Sequence, residues 1–204
     1  MFGAKPSRCR RFLPSALTGL CLMGMMPWAA AATIYRLDVT QHDAHYRMVA
    51  DLHLDASPAD VYAELIDFSD FPKINPDVRI SRVVRQPDAQ TQLVYVESVG
   101  CVAIFCETIK QLQKFTEPDT RDILAVTLPD GSNVKDGSSS WHLEAEAGGT
   151  RLRWQADFEP DFWVPPFIGP RAIAEQLRSQ ALASMQDIER RSLQHWASGS
   201  RMSL

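Results

Sequence analysis

The sequence lacks several features that mark common reactive and cofactor-binding sites. No glycine-rich phosphate loop follows a predicted strand, and no Gly-x-Ser-x-Gly segment is present. The five histidines do not show the converging pattern of a metal site. The 21 basic residues are outnumbered by 25 acidic ones, which disfavours a nucleic-acid partner. We therefore predict no catalytic residues, no metal and no cofactor.

The first 32 residues read as a secretory signal peptide. A basic start is followed by an apolar stretch over 12–28 and by small residues, which predicts cleavage after Ala31 or Ala32. A membrane anchor is the alternative, although the apolar stretch is short for a span. Removing this segment takes four basic residues, so 17 bases face 25 acids and the net charge is about −8. We expect a periplasmic or secreted protein with one domain over 33–197 and a flexible tail over 198–204.

Two of the four cysteines remain after that cleavage, Cys101 and Cys106. An exported protein is in a compartment that permits disulfides. Along one extended strand the two Cα atoms would lie roughly 16 Å apart, too far for a bond. Gly100 and the polar strands on both sides favour a hairpin tip between them, and we predict a disulfide. Two buried thiols in a continuous strand are the alternative.

Most of the chain alternates apolar and polar residues in short runs, the pattern of half-buried strands. In the run over 46–54, for example, Tyr46, Met48 and Leu52 share one face. Such one-sided alternation is typical of an antiparallel sheet. The period changes at Ser57-Pro58, where Ser57 suits a helix N-cap and Pro58 the first helical position. The predicted fold class is α+β, with about seven strands and two short helices after an early strand.

A long helix is predicted from Arg171 to about Trp196, because neither Pro nor Gly occurs between Pro170 and Gly199. Its apolar residues recur at three- and four-residue steps, which places them on one stripe. They are Ile173, Leu177, Ala181, Met185 and Ile188. Polar and charged residues in the same run are compatible with a solvent-exposed (wet) opposite face. They are Arg178, Gln180, Asp187, Arg190 and Arg191. A helix of this length needs a broad partner, so we expect it to lie across the concave face of the sheet.

Four segments near the start of the domain resemble the START-like superfamily. They are Tyr46–Ala50, Ala56–Tyr62, Leu65–Phe68 and Phe71–Lys73. The long helix agrees with the same superfamily, with Gly169-Pro170 at its start and Met185, Ile188 and Glu189 late in it. The resemblance covers about residues 45–192 and extends to the polyketide cyclase/dehydrase (SRPBCC) and coenzyme Q-binding START-like branches. It implies a helix-grip fold, in which the sheet and the C-terminal helix enclose an elongated cavity for an apolar ligand. It implies no shared catalytic constellation.

Aromatic residues concentrate in the last third of the chain and are the candidate cavity lining, although plain core packing is the alternative for each. We expect the ligand site to be formed by Trp141, Trp154, Phe158, Phe162, Trp163, Phe167, Ile173 and Leu177. The apolar, proline-containing segment from Phe162 to Ile168 is a candidate for covering the cavity or touching a membrane surface. Asn75, Tyr95, Gln111 and Arg171 are candidate polar anchors.

The leading hypothesis is an exported protein that binds or carries a hydrophobic small molecule, such as a lipid or an isoprenoid, without covalent chemistry. One alternative is a cyclase- or dehydratase-type enzyme, which needs an ionisable group directed into the same cavity. The other is a partner-binding module with a filled core. The alternating acids Asp157, Glu159 and Asp161 are expected to face solvent rather than to act as an acid–base pair.

Overall fold

A computed structural model describes residues 32–102, 104–161 and 169–199. The predicted signal peptide, except Ala32, and three of the predicted ligand-site residues, Phe162, Trp163 and Phe167, lie outside the described residues. Among the helices described, none combines the length and apolar character that crossing a membrane requires.

The fold is a curved sheet of eight antiparallel strands with a long helix packed against it. The spatial order is β1-β2-β8-β7-β6-β5-β4-β3, so β1 and β3 are the sheet edges. The strands are β1 Thr33–His42, β2 His45–Leu54, β3 Val78–Asp88, β4 Thr91–Val102, β5 Phe105–Thr116, β6 Asp122–Leu128, β7 Val134–Glu146 and β8 Gly149–Pro160. The helices are α1 Pro58–Ile66, α2 Phe71–Ile74 and α3 Pro170–Gly199, with a 3₁₀ turn at Phe68–Asp70.

The α+β helix-grip prediction is confirmed, with one difference in strand number. Eight strands form rather than about seven, because β1 and β2 both form and pair as a hairpin through Asp43, whose φ is 54°. The predicted start of α1 is also confirmed. Ser57 caps the helix by accepting from the Asp60 backbone N–H at 3.2 Å, and Pro58 occupies the first turn.

The core lies between the inner face of the sheet and one side of α1 and α3. The apolar face predicted for β2 is buried at Tyr46, Met48, Ala50, Leu52 and Leu54. Leu143 of β7 and Leu152 of β8 are fully buried opposite each other. On the helix side, Val61 and Leu65 of α1 meet Ala181, Met185 and Ile188 of α3 in the same cluster. This half of the molecule is therefore solidly packed.

The two halves of α3 have different surroundings. In the C-terminal half, Ala181, Met185, Ile188 and Ser192 are buried, whereas in the N-terminal half Ile173 and Leu177 are only half-buried. The predicted wet face of α3 is partly wrong. Gln180 and Arg191 turn inward, because each has an acidic partner on the facing elements, Asp77 for Gln180 and Glu64 for Arg191. The apolar stripe is thus continuous in sequence but meets packed core along only half of its length.

Candidate functional site

A cavity lies between the N-terminal half of α3 and the inner face of the sheet, in two adjoining lobes. The larger, which we call the amide lobe, has a volume of about 290 Å³ and is lined by α2, the α2–β3 connection and strands β2 to β8. The smaller, the hairpin lobe, has a volume of about 90 Å³ and lies at the β4–β5 hairpin, beside the end of β8 and the start of α3. Both lobes are lined by Gly100, Ile109, Phe158, Leu177 and Gln180.

A row of aromatic rings forms one wall of the amide lobe. Trp141 of β7 and Trp154 of β8 are direct cross-strand partners and stack at 6.3 Å with their planes 13° apart. Phe115 of β5 stacks on Trp141 at 6.1 Å and also contacts Phe68 at 4.5 Å. The Trp154 indole N–H is buried and has no hydrogen-bond partner among the described residues. Rings held in register by the strands present a broad apolar surface that can bury a ligand face.

Uncharged hydrogen-bonding groups also line the amide lobe, in addition to the acid Asp77. They belong to Asn75, Ser98, Gln111, Gln113, Thr127, Ser138, Ser139 and Gln180. A small number of polar groups in a mostly apolar pocket is the usual form of a small-molecule site, since they orient the ligand.

One polar connection crosses the cavity wall. Gln180 of α3 donates to the Asp77 carboxylate, and the Asp77 backbone N–H donates to Asn75 Oδ1 at 2.9 Å. The same α2–β3 connection is joined to β4, because the Val99 N–H donates to the Asp77 carbonyl at 2.8 Å. These contacts hold the overhanging half of α3 against the α2–β3 connection.

The structure brings five of the eight predicted ligand-site residues together at the cavity. Trp141 and Trp154 line the amide lobe, Ile173 lines the hairpin lobe, and Phe158 and Leu177 line both. Of the four candidate anchors, Asn75 and Gln111 line the amide lobe. Tyr95 instead donates to Glu97 at 3.0 Å, and Arg171 is exposed.

Apart from the candidate anchor Gln111, the inner face of β5 was missed by sequence reasoning. Its residues Phe105, Glu107, Ile109, Gln111, Gln113 and Phe115 all line the cavity. A strand face that borders a cavity carries polar residues, so alternation alone does not distinguish it from a solvent face. Lys110 and Lys114 could have shown which face of β5 is turned to solvent, because lysine is almost never buried without a partner. Both are exposed, and the alternate residues line the cavity.

The predicted disulfide is confirmed. Cys101 and Cys106 are direct partners in the β4–β5 hairpin, with their Cα atoms 4.0 Å apart and their sulfurs bonded. Both strands run on to Val102 and Phe105, so the bond closes the hairpin at the edge of the hairpin lobe. A loop this short contributes about 2 kcal/mol in the chain-entropy account, and it restrains the lobe.

The outer face of the sheet carries paired charges rather than a reactive cluster. His45, His53 and His142 each lie 2.7 Å from a carboxylate, those of Asp157, Glu146 and Asp122 respectively. Hydrogen bonding to Asp157 raises the pKa of His45. Glu159, one of the alternating acids, pairs with Lys135 at 2.8 Å and is three-quarters buried. In the part of the chain that the structure describes, no three His, Cys, Asp or Glu side chains are arranged to hold a metal ion.

A buried ion pair that the sequence reasoning did not identify joins α3 to α1. Glu64 is 1 % exposed, and its Oε2 accepts from Arg191 Nε at 2.6 Å, while its Oε1 lies 3.3 Å from His195 Nε2. Arg191 also donates to Asp70. The hydrogen bond to Glu64 raises the pKa of Arg191 above its ordinary value. Glu64 lies three residues after the buried Val61, so its position on the apolar side of α1 was a readable signal.

Solved structures with this fold come from several kinds of protein. A START superfamily protein from Mycobacterium smegmatis is 14% identical, with a TM-score of 0.58, over 72% of this chain and 97% of its own. The Zhui aromatase/cyclase from a Streptomyces species is 16% identical, with a TM-score of 0.55, over 72% and 93%. A STAR-related lipid transfer protein fragment from Xanthomonas axonopodis is 16% identical, with a TM-score of 0.54, over 74% and 98%. At these identities the likeness shows the fold.

No curated protein sequence matches the chain. Family assignment instead comes from the region that runs from β2 to most of α3. Residues 45–191 match the family described as polyketide cyclase/dehydrase and lipid transport. The match begins at the first residue of β2 and ends at Arg191, whose side chain pairs with the buried Glu64. The chain therefore belongs to the polyketide cyclase/dehydrase and lipid-transport family and has the START-like, helix-grip fold.

Proposed function

We propose that this protein is exported and binds or carries a hydrophobic small molecule, a lipid or an isoprenoid, in the cavity under the N-terminal half of α3. The observation that carries the proposal is the cavity itself, about 290 Å³ in its larger lobe, walled by Phe115, Trp141 and Trp154. The lipid transport named in the family description, and in the name of one structural neighbour, supports this ligand class. The partner-binding alternative expects a filled core, and a cavity of about 290 Å³ among the described residues disfavours it.

Binding in such a site is driven by removing apolar surface from water, at roughly 25 cal/mol per Å². Burial of about 300 Å² of ligand surface corresponds to roughly 7.5 kcal/mol before the entropy of association is subtracted. The aromatic wall supplies the surface, and the amide and hydroxyl groups orient the ligand. No covalent step is required for this role.

Export is proposed from the first 32 residues, with their basic start, apolar stretch and small residues before the cleavage site. The Cys101–Cys106 disulfide supports the proposal, because such bonds persist in oxidising compartments. An extracytoplasmic carrier needs no charged reaction centre, only a cavity that shields an apolar cargo from water.

The proposal is tested by blocking the cavity with Leu177→Trp. Leu177 lines both lobes, so an indole at this position fills the space where they meet. Binding of the neutral fluorophore N-phenyl-1-naphthylamine, measured by fluorescence titration, is expected to weaken by at least about ten-fold. Ser179→Trp, on the exposed side of the same helix, is the matched control and leaves binding unchanged.

Mass spectrometry of organic extracts from the purified protein provides an independent readout. A retained hydrophobic molecule that the Leu177→Trp protein no longer retains supports the proposal. If the protein neither retains nor takes up any hydrophobic small molecule, the proposed function is wrong.

We also propose that the ligand enters and leaves while the protein touches a membrane surface transiently. Ile104, at the tip of the disulfide-closed hairpin, is 98% exposed, and its neighbours Val102 and Phe105 line the hairpin lobe. In the sequence, the apolar segment from Phe162 to Ile168 stands between β8 and α3, and Pro160 of β8 and Ile173 of α3 line the same lobe. An exposed apolar tip beside a cavity suits contact with the apolar part of a bilayer.

For this contact we expect Ile104→Asp to reduce co-flotation with uncharged phosphatidylcholine vesicles by at least about half, because a carboxylate at the tip opposes insertion. Val126→Asp is the control, since Val126 is an exposed apolar residue on the outer face of β6. Equal flotation of both variants and the parent protein contradicts the proposed membrane contact and leaves ligand binding untouched.

An enzyme of the cyclase or dehydratase type is the second candidate. The specific observation in its favour is that Asp77 and Glu107 line the cavity, which supplies the inward ionisable groups that such chemistry needs. A ligand that is recovered from the protein chemically unchanged after prolonged incubation favours the carrier, whereas conversion favours the enzyme.

A further inference from the structure

Resting on the proposed function, we propose that the cavity takes an uncharged amphiphile and rejects the same hydrocarbon when it carries a carboxylate or phosphate. The hydrogen-bonding head lies in the amide lobe and the apolar part extends into the hairpin lobe. Free fatty acids and lipids whose phosphate must enter the cavity are excluded.

The first argument is the charge of the lining. Neither lobe has a lysine, arginine or histidine among its described lining residues, whereas the acids Asp77 and Glu107 occur there, together with Asp157, whose carboxylate is turned to the outer face of the sheet. The Asp157 carboxylate is held by His45 at 2.7 Å. Position 103 and residues 162–168, which lie outside the described residues, contain no ionisable residue in the sequence. An anionic ligand would therefore have no cationic partner among the described residues that line the cavity.

The second argument is the orientation of β5, which contributes lining to both lobes. Lys110 and Lys114 are exposed, while the alternate residues Glu107, Gln111 and Gln113 line the cavity. The two-residue period of a strand thus places the cations of β5 on the outer face and leaves one carboxylate and two amides inside. Amides donate to and accept from neutral carbonyl, ether and hydroxyl groups, so they recognise an uncharged polar head.

The third argument is that neither orientation of a fatty acid avoids a carboxylate of the protein. With its head in the amide lobe, the ligand shares that lobe with Asp77. With its head in the hairpin lobe, it meets Glu107. A carboxylate removed from water needs a cation or several donors to offset its desolvation, and nearby like charge opposes it further. A neutral hydroxyl of the same chain length carries neither penalty.

The test compares 1-decanol with decanoate, two probes of equal chain length, as competitors of bound N-phenyl-1-naphthylamine. At about pH 8 decanoate is ionised. We expect decanol to displace the fluorophore and decanoate to require at least about a ten-fold higher concentration. Equal displacement by the two probes, or stronger displacement by decanoate, overturns the inference and leaves the proposed function standing. If neither the fluorophore nor decanol binds, the proposed function fails and the inference fails with it.

Variants of Glu107 sharpen the test. Glu107→Lys places a cation in the hairpin lobe and is expected to bring the affinities for decanoate and decanol to within about three-fold of each other. Glu107→Gln is the matched control, because it removes the negative charge without adding a positive one, and it is expected to give an intermediate ratio. Circular dichroism spectra and melting temperatures that match those of the parent protein establish that both variants keep the fold, and the decanoate-to-decanol ratio is taken within each variant, so a change in fluorophore affinity does not affect it. A decanoate-to-decanol ratio that is the same in the parent and in both variants contradicts the charge argument.

Discussion

Arg191→Met is expected to lower the free energy of unfolding by about 3–5 kcal/mol, because it leaves the carboxylate of Glu64 buried without its guanidinium partner. Glu64 is 1 % exposed and the Arg191 side chain is 19% exposed, so water replaces little of the lost interaction. Asp70 loses the same partner. The measurement is urea unfolding at neutral pH, followed by circular dichroism.

The neighbouring arginine provides a matched control. Arg190 is 61% exposed and pairs with Asp187 on the surface of the same helix, so Arg190→Met is expected to change stability by less than about 1 kcal/mol. The double change of Arg191→Met with Glu64→Leu removes the stranded charge and is expected to recover most of the loss. Equal effects of Arg190→Met and Arg191→Met would contradict the conclusion that the Arg191–Glu64 ion pair stabilises the contact between α3 and α1.

Gly149→Ala is the second change with a large expected effect, a loss of about 3 kcal/mol or more. A Cβ at Gly149 would lie 2.0 Å from the backbone oxygen of Leu54 and 3.1 Å from the Cα of Asp55, and backbone cannot rotate away as a side chain can. The strands must separate to admit the methyl group, which is costly overpacking. For a protein of this size the melting temperature should fall by roughly 6–12 °C.

The effect of Gly149→Ala extends beyond the β7–β8 turn, because residues that adjoin Gly149 also position α1. The Thr150 hydroxyl donates to the Ala56 carbonyl at 2.7 Å, and the Asp55 N–H donates to the buried Glu189 carboxylate of α3 at 2.8 Å. Burial raises the pKa of Glu189, and the hydrogen bond from the Asp55 backbone N–H opposes the rise. The absence of a side chain at Gly149 thus allows the end of β2 to lie close to the start of β8, where it also contacts α3.

Gly131→Ala is the control for conformational effects of losing a glycine. Gly131 has a φ of 91°, and a Cβ there would meet nothing within 4 Å. Its replacement costs about 1–2 kcal/mol through backbone strain alone. A loss at Gly149 no larger than the loss at Gly131 would show that the strands yield at this corner and would refute the proposed close packing.

Local patterns were sufficient to predict the elements. The alternation along β2, the cap formed by Ser57 and Pro58, and the uninterrupted run after Pro170 are each properties of neighbouring residues, and each forms as predicted. The disulfide was predictable too, because the pairing of Cys101 with Cys106 requires only a local hairpin. These features depend on contacts between residues close in sequence, or on a two- or 3.6-residue period, and are readable from the chain.

The polar lining of the cavity and the buried charges were not predictable in this way. Gln113 and Glu107 have the residue types of a solvent face, and Arg191 has the type expected on the wet side of α3. Their true surroundings depend on partners more than sixty residues away, such as Glu64 for Arg191. Periodicity assigns residues to a face, but it does not state whether that face meets core, cavity or water.

Residue patterns along the chain are enough to establish the α+β class, the order of the elements, the disulfide and an aromatic-rich final third. The packing of distant elements is needed to establish that α3 packs solidly over its C-terminal half and overhangs a cavity over its N-terminal half, with Trp141, Trp154 and the inner face of β5 around it. The physical reason is that secondary structure follows from local periodicity and backbone hydrogen bonding, whereas a cavity is space left between layers. Its volume and charge depend on how distant residues, among them Asp77, Glu107 and Gln180, are brought together.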